Sequence, residues 1–479
     1  MRARPYTLAV ALAGTASTST SCCNQIRHHL PSLTSFPGSA HYNTTESSYW
    51  SLQESDLQPA CIIHPTSSQH VSQVMSVVSK DPDCLFAIKG RGHSPAAGFA
   101  NIQGGVTVDM TGLSNVQVAP DHAVAQVGAG ADWLHVYQAL EPLGVAVAGG
   151  RNGLVGVGGL LLGGGISHFT TKVGWACDNV VNYEIVLSCG KIIQSNASHH
   201  SALFHALRGS ATNFGIITRF DLKTFPQSNI SITSLAHDIS HRHAVFGAFT
   251  DIITATPFDE NVSLVSGLLF NSSSRQWSLT NSAVYAEPVS HPAVYGNLSS
   301  VPSLRNSTTV MSLAKFADEK DTPPLNWLFA TATLRPSSAF MAEMFDILNE
   351  TLYEFNPPAG IVWNVALEPL AGRMLHTGET LGMRTTEKGY IVLLSALWPA
   401  AKSRERVDSV ARDVLCRIED AARRKDLLQR FQYLNYAAPY QKPLQSYGFD
   451  NFDFLKQVSH EYDKHVVFQK QLRGGYKVV

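Results

Sequence analysis

Charge is scarce in this sequence. Lys and Arg number 36 and Asp and Glu 37 among 479 residues; charged residues make up 15% and the net charge is −1. No basic stripe or lysine-rich arm stands out, which excludes a polyanion such as nucleic acid as a partner. The same scarcity argues against a phosphorylated substrate. Beyond the first residues no stretch is long and apolar enough to span a bilayer. Seven cysteines occur, Cys22, Cys23, Cys61, Cys84, Cys177, Cys189 and Cys416. None has zinc-site spacing, so no metal site is expected. There is no internal repeat. A Rossmann-type nicotinamide site is also missing: no strand–GxGxxG–helix unit is followed by an acid at the right distance.

What is present is 44% hydrophobic residue and 35 glycines, a composition for a tightly turned globular chain of more than one domain. The first residues carry Arg2 and Arg4, then the apolar run 8–13, then small residues. Ala11-Leu12-Ala13 and Gly14-Thr15-Ala16 both suit a signal peptidase, so residues 1–16 are expected to be a secretory leader; a frayed cytosolic tail is the alternative. The density of acceptor sequons, at Asn43, Asn196, Asn229, Asn261, Asn271, Asn297, Asn306 and Asn349, supports the secretory route and a secreted product. An odd cysteine count then leaves at least one thiol unpaired, and spacing does not assign the bridges.

Residues 58–130 alternate strand and helix signals. Residues 60–63 and 85–88 are short apolar strands. Residues 67–79 carry Val71, Val74 and Val77 or Val78 at helical spacing after the caps Thr66 and Ser67. Residues 106–110 and 123–127 are further strands, and 132–140 a helix with Trp133 and Leu134 inward. This rhythm indicates an α/β or α+β nucleotide-binding region. From 231 to 430 the glycine blocks stop and longer helices appear, over 336–352 and 403–428, with strands between. A separate α+β substrate domain is expected there. From 431 onward the tail is aromatic again.

Two glycine-rich stretches stand out. GRGHSPAAGFAN, residues 90–101, places His93 in a turn with little bulk around it: either the ring faces water, or the backbone approaches something flat and the imidazole touches it. GGRNGLVGVGGLLLGGGISHF, residues 149–169, is the densest glycine block. Such a block permits positive φ and close backbone approach, and its N–H groups can cradle a pyrophosphate; a packed apolar turn is the other reading.

With ALRGSATNFGIITRFDLKTFP and the tail YLNYAAPY…YGFDNFDFLKQVSHEYD, these segments resemble the vanillyl-alcohol-oxidase-type (PCMH-type) flavoproteins, and within them the berberine-bridge-enzyme-like oxidases of fungal secondary metabolism. The likeness covers nearly the whole chain. It implies an α+β fold: a PCMH-type FAD-binding domain of two α/β subdomains (17–230), a substrate domain with an antiparallel sheet (231–430), and a C-terminal segment (431–479) that returns to the FAD domain. It implies FAD as cofactor, joined through His93 to the 8α position of the flavin, a small-molecule substrate, and O2 as electron acceptor.

The resemblance also distributes roles. Gly90, Arg91, Gly92 and Ser94, with Gly156, Gly158, Gly159 and Gly163, would hold the cofactor; Arg91 would add charge-assisted contacts or simply sit in a surface turn. Asn213, Phe214, Gly215 and Ile217 would line the adenine and ribose side. Many relatives attach flavin C6 through a second residue, a cysteine. Here that position is Asn152, which implies a single covalent link. Val155 stands at the oxygen-gating position, or packs in the core. Tyr433 would be the base that takes a proton as a hydride leaves the substrate, with Asn435 orienting flavin or substrate; alternatively the tail tyrosines only pack an interface. A nearby cation would be needed to lower the tyrosine, and Lys172 and Arg373 are candidates. His168 falls either near the cofactor or in a solvated loop. An oxidase that makes H2O2 is the leading function; a flavin-bound, non-redox isomerase or cyclase is the alternative, and a secreted non-catalytic flavin-binding protein a third.

Overall fold

The structure, a computed structural model, describes residues 13–318, 324–357, 359–383, 386–399 and 403–479, with side chains from residue 21 onward. Residues 1–12 of the expected leader lie outside the described residues; Ala13 opens the helix Ala13–His29. That helix carries Cys22 and Cys23, which bridge to Cys84 and Cys61. Cys177, Cys189 and Cys416 are free thiols.

The described residues form three large sheets and a two-stranded ribbon, Val145–Ala146 against Phe225–Pro226. The first has the order Thr34–Ser35, Cys61–Ile63, Val106–Asp109, Phe86–Lys89. Its last three strands run parallel, joined across helix Ser68–Val78, which buries Val71, Val74, Met75, Val77 and Val78 and is capped by Ser67. Loop 90–101 leaves strand Phe86–Lys89 at its carboxyl end, where open parallel sheets place ligands. The second sheet, Val116–Val118, Val124–Gly128, Ile216–Lys223, Val180–Val186, Ile192–Asn196 in spatial order, is antiparallel throughout. The strand–helix rhythm of the sequence therefore gives a parallel βαβ only in the first sheet. Helix Trp133–Leu140 turns Trp133, Val136, Tyr137 and Leu140 inward. Leu134 is only half-buried, because a 3.6-residue period puts it on the flank of that face.

The third sheet is antiparallel and has eight strands, in the order Arg305–Met311, Ile230–His237, Gln276–Tyr285, Val262–Asn271, Val362–Leu370, Gly389–Trp398, Asn326–Leu334, Leu428–Gln429. Helices Arg242–Thr254, Ser338–Phe355 and Arg404–Arg424 share one hydrophobic core with it. The expected helices at 336–352 and 403–428 are thus present with shifted ends. Ser337 caps the first, its hydroxyl accepting from Phe340 N at 3.1 Å, and the second stops before the edge strand Leu428–Gln429. Strand alternation sends Leu328, Ala330, Leu367, Val392 and Leu394 into that core, so Phe329, Glu368 and Leu393 lie on the opposite face.

The tail returns to the first sheet. Leu472 bridges to Phe86, and Gln471 Nε2 donates to the carbonyls of Val78, Asp81 and Cys84 at 2.9, 2.8 and 3.2 Å.

Candidate functional site

A cavity of about 440 Å³ runs between the first two sheets, the inner face of the third and the tail. Fourteen of the seventeen residues expected to hold or use a cofactor line it: Gly90, Arg91, Gly92, His93, Ser94, Asn152, Val155, Gly156, Gly158, Gly159, Gly163, Ile217, Tyr433 and Asn435. Phe329 and Leu393 close it from the eight-stranded sheet, and Gly474, Gly475, Tyr476 and Lys477 from the last turn of the chain.

The glycines explain how the backbone comes so close. Gly92 has φ +69, and a Cβ there would meet the Tyr49 ring at 2.8 Å. By contrast Gly90 and Gly159 face open space, with nothing within 4 Å of a built Cβ. Gly156 precedes the short helix Val157–Leu162 without a side-chain cap. Among the described residues, the backbone N–H groups of Gly92, His93 and Ser94 make no bond to a backbone carbonyl, and Gly158 and Gly159 stand in the first turn of helix Val157–Leu162, where N–H groups have no intrahelical acceptor. A cradle with side-chain bulk removed and amide donors turned outward fits a diphosphate.

His93 is half-buried. Its ring stacks on Trp50, centroids 4.0 Å apart and planes at 14°. Desolvation pushes its pKa down to about 4, so the imidazole is neutral at physiological pH and keeps a nucleophilic lone pair.

At the other wall, the tail brings Tyr433 and Asn435 against the glycine block. Tyr433 Oη accepts from Ile166 N at 3.0 Å and from Asn435 Nδ2 at 3.1 Å; Asn435 Nδ2 also reaches Leu160 O at 3.0 Å. Gly163 leaves the room for this, since a Cβ there would fall 1.9 Å from Asn435 Oδ1. Burial raises the Tyr433 hydroxyl above its ordinary value, while the two N–H donors and Arg151 pull the other way.

The cation is neither of those expected. Lys172 lines a different cleft, with Tyr137, Pro226 and Ser312, and Arg373 sits at the surface 3.8 Å from Glu260. The cation beside the tyrosines is Arg151, from the glycine block itself. Its Nη2 lies 2.7 Å from Glu368 Oε1 and 2.7 Å from Tyr436 Oη, and Tyr436 Oη donates to the same Glu368 oxygen at 3.0 Å. The Tyr433 and Tyr436 rings meet edge-on at 4.8 Å. Arg151 and Glu368 were not singled out in the sequence, although a lone arginine among glycines and a lone carboxylate in an apolar strand are the signals that mark them.

Other expectations need correction. Asn213 is fully buried and structural: its Nδ2 donates to Ser210 O at 2.6 Å and Tyr476 O at 2.9 Å. Gly215 packs against Ile185 and Val186, and Phe214 lies in the hydrophobic core. That motif braces the cavity from behind, and its neighbours Ala211, Thr212, Ile216 and Ile217 line it. Arg91 lines the cavity too, but its guanidinium is held by Asp132 at 3.0 Å, the residue that caps helix Trp133–Leu140. His168 is neither solvated nor at the cavity wall; it is buried, with Nδ1 3.1 Å from Ser263 Oγ.

The layers and the glycine cradle define a flavoprotein in which two sheets carrying the cradle are roofed by the eight-stranded antiparallel sheet. Residues 59–196 match the family model described as an FAD binding domain. The chain is 34% identical over 480 residues to the FAD-dependent monooxygenase tpcD of Cochliobolus heterostrophus, covering 94% of this chain and 90% of that one. Its fold is similar to that of the berberine bridge enzyme from Eschscholzia californica, with TM-score 0.78, 15% identity and coverage of 96% and 99%. It is also similar to the glucooligosaccharide oxidase from Acremonium strictum, described with a 6-S-cysteinyl, 8α-N1-histidyl FAD, with TM-score 0.77, 18% identity and coverage of 96% and 99%. The chain belongs to the family of FAD-dependent oxidoreductases that includes this fungal FAD-dependent monooxygenase, and it shares the fold of the berberine bridge enzyme.

Proposed function

We propose that the protein is an oxidase that carries FAD on a single covalent bond to His93 and oxidises a small, largely apolar metabolite. The observation that carries this reading is the placement of a neutral imidazole, a set of glycine amides without backbone acceptors and a tail tyrosine around one cavity. Gly92, His93, Ser94, Gly158 and Gly159 would hold the diphosphate through their N–H groups. Bound FAD supplies a hydride acceptor at N5 and a route for electrons to O2. Asn152, which also lines the cavity, offers no thiol for a second bond.

Tyr433 would take the proton of the substrate hydroxyl. The accepting form is the phenolate, whose charge on Oη is present before the transfer and neutralised by it; the Ile166 N–H, the Asn435 amide and the nearby Arg151 favour that form against the upward push of burial, and they need no reorganisation during the reaction. Phe329 and Leu393 exclude water from the substrate side. Residues 17–230 and 431–479 would form the cofactor unit and 231–430 the substrate unit. The two disulfides and the eight sequons support passage through an oxidising, secretory compartment.

The oxidase reading has a test that needs no substrate. Protein reduced anaerobically with dithionite and mixed with O2 is expected to reoxidise faster than free reduced FAD and to release one H2O2 per flavin. Reoxidation no faster than free flavin would point to the non-redox isomerase or cyclase instead.

A further inference from the structure

We propose that Trp50 and Trp327 form an aromatic clamp that fixes the plane of the His93 imidazole for its bond to the flavin. The clamp rests on the reading of His93 as the attachment site. It makes Trp50 a positioning residue and gives the substrate unit a part in loading the cofactor.

The Trp50 indole has two stacked partners. His93 lies 4.0 Å away at 14° and Trp327 4.2 Å away at 20°. Two rings at stacking distance from a third occupy its opposite faces. Phe329 meets the indole edge at 5.8 Å and 63°. Trp327 and Phe329 belong to strand Asn326–Leu334 of the eight-stranded sheet, so the stack runs from the substrate unit to the cofactor loop.

The backbone around Trp50 is tied on both sides. Trp50 N donates to Gly92 O at 3.3 Å, and Leu52 N to Leu325 O at 2.9 Å. Gln53 receives Trp327 N at 3.0 Å and donates to Trp327 O. Glu54, fully buried, accepts from Gly98, Phe99, Ala100 and Asn101 N–H groups at 3.0, 2.9, 2.7 and 3.1 Å. Residues 50–54 therefore hold the His93 loop with one hand and the substrate sheet with the other.

The chemistry explains why a plane must be fixed. The reactive lone pair of a neutral imidazole lies in the ring plane, and the torsion that turns the ring about Cβ–Cγ is broad. Turning the ring would drive its edge into the indole, so the parallel stack removes most of that freedom. In the overall step one N–C bond forms between His93 and the 8α carbon. One 8α C–H bond and the imidazole N–H bond break, and the two hydrogens and two electrons leave with O2 as H2O2. The stack contributes orientation, which sets the rate of this step.

The test follows covalent incorporation, not turnover. Purified apoprotein is incubated with FAD and O2, total flavin is read by absorbance, and acid-stable flavin by fluorescence of the denatured band. Trp50→Leu fills the space without an aromatic face; Trp50→Phe keeps the face. Trp50→Leu and Trp327→Leu are expected to bind FAD yet form the bond about tenfold more slowly, with Trp50→Phe near the wild-type rate. Equal rates for the leucine and phenylalanine variants at position 50 would overturn the clamp. His93→Ala separates the two levels: acid-stable flavin in that variant would sink the attachment reading itself, whereas its absence together with a wild-type rate in Trp50→Leu would sink only the clamp.

Discussion

Arg151→Met should cost about 3 kcal/mol of stability, because it strands the buried Glu368 carboxylate without its cation. The arginine side chain is 21% exposed and the glutamate 4%, so the lower end of the range for breaking a buried pair applies. Glu368 Oε2 already has no hydrogen-bond partner, which leaves the carboxylate dependent on what meets Oε1. The double variant Arg151→Met with Glu368→Gln should recover most of the loss, since the amide carries no charge to strand. Urea unfolding of the single and double variants measures both numbers. If the single variant keeps the wild-type midpoint, the pair is a solvated contact and Arg151 is not the cation that organises the tyrosines.

The second large effect falls on rate. Tyr433→Phe is expected to lower the rate of anaerobic flavin bleaching by about 10²-fold or more, the usual contribution of a positioned proton acceptor. The comparison uses any substrate that reduces the wild type. Bound flavin should be unchanged, because no attachment or diphosphate contact depends on the hydroxyl. The buried Ile166 N–H loses its acceptor, while Asn435 Nδ2 keeps Leu160 O, a loss of about 1–3 kcal/mol in stability. Bleaching at the wild-type rate would remove Tyr433 from the chemistry and leave it as packing between tail and glycine block.

The local parts of the site were legible because each is a short stretch with its own chemistry. Loop 90–94 and the glycines at 156, 158, 159 and 163 come from runs whose composition departs from their surroundings; Tyr433 and Asn435 were marked by the tail's resemblance to the flavoprotein family, and the fold gathers all of them at one cavity. What sequence could not show is contact at long range. Arg151 meets a carboxylate 217 residues away, and no spacing rule joins them. Trp50 and Glu54 sit in a stretch without glycine or repeat, and their meaning appears only when loop 92–101 folds over them. The opposite error arose at Asn213 and Gly215: the motif is in the right place in the chain, but the bend that precedes strand Ile216–Lys223 turns those positions away from the cavity and their neighbours toward it. Lys172 and Arg373 were chosen for charge alone, and the fold puts one in a separate cleft and the other in solvent.

The most direct measurement is acid precipitation of the purified wild-type protein, with peptide mapping of any flavin that remains in the pellet. A yellow pellet whose flavin maps to the peptide containing His93, and to no cysteine, is the expected result. A colourless pellet with all flavin in the supernatant, or a flavin mapped to another residue, would contradict it.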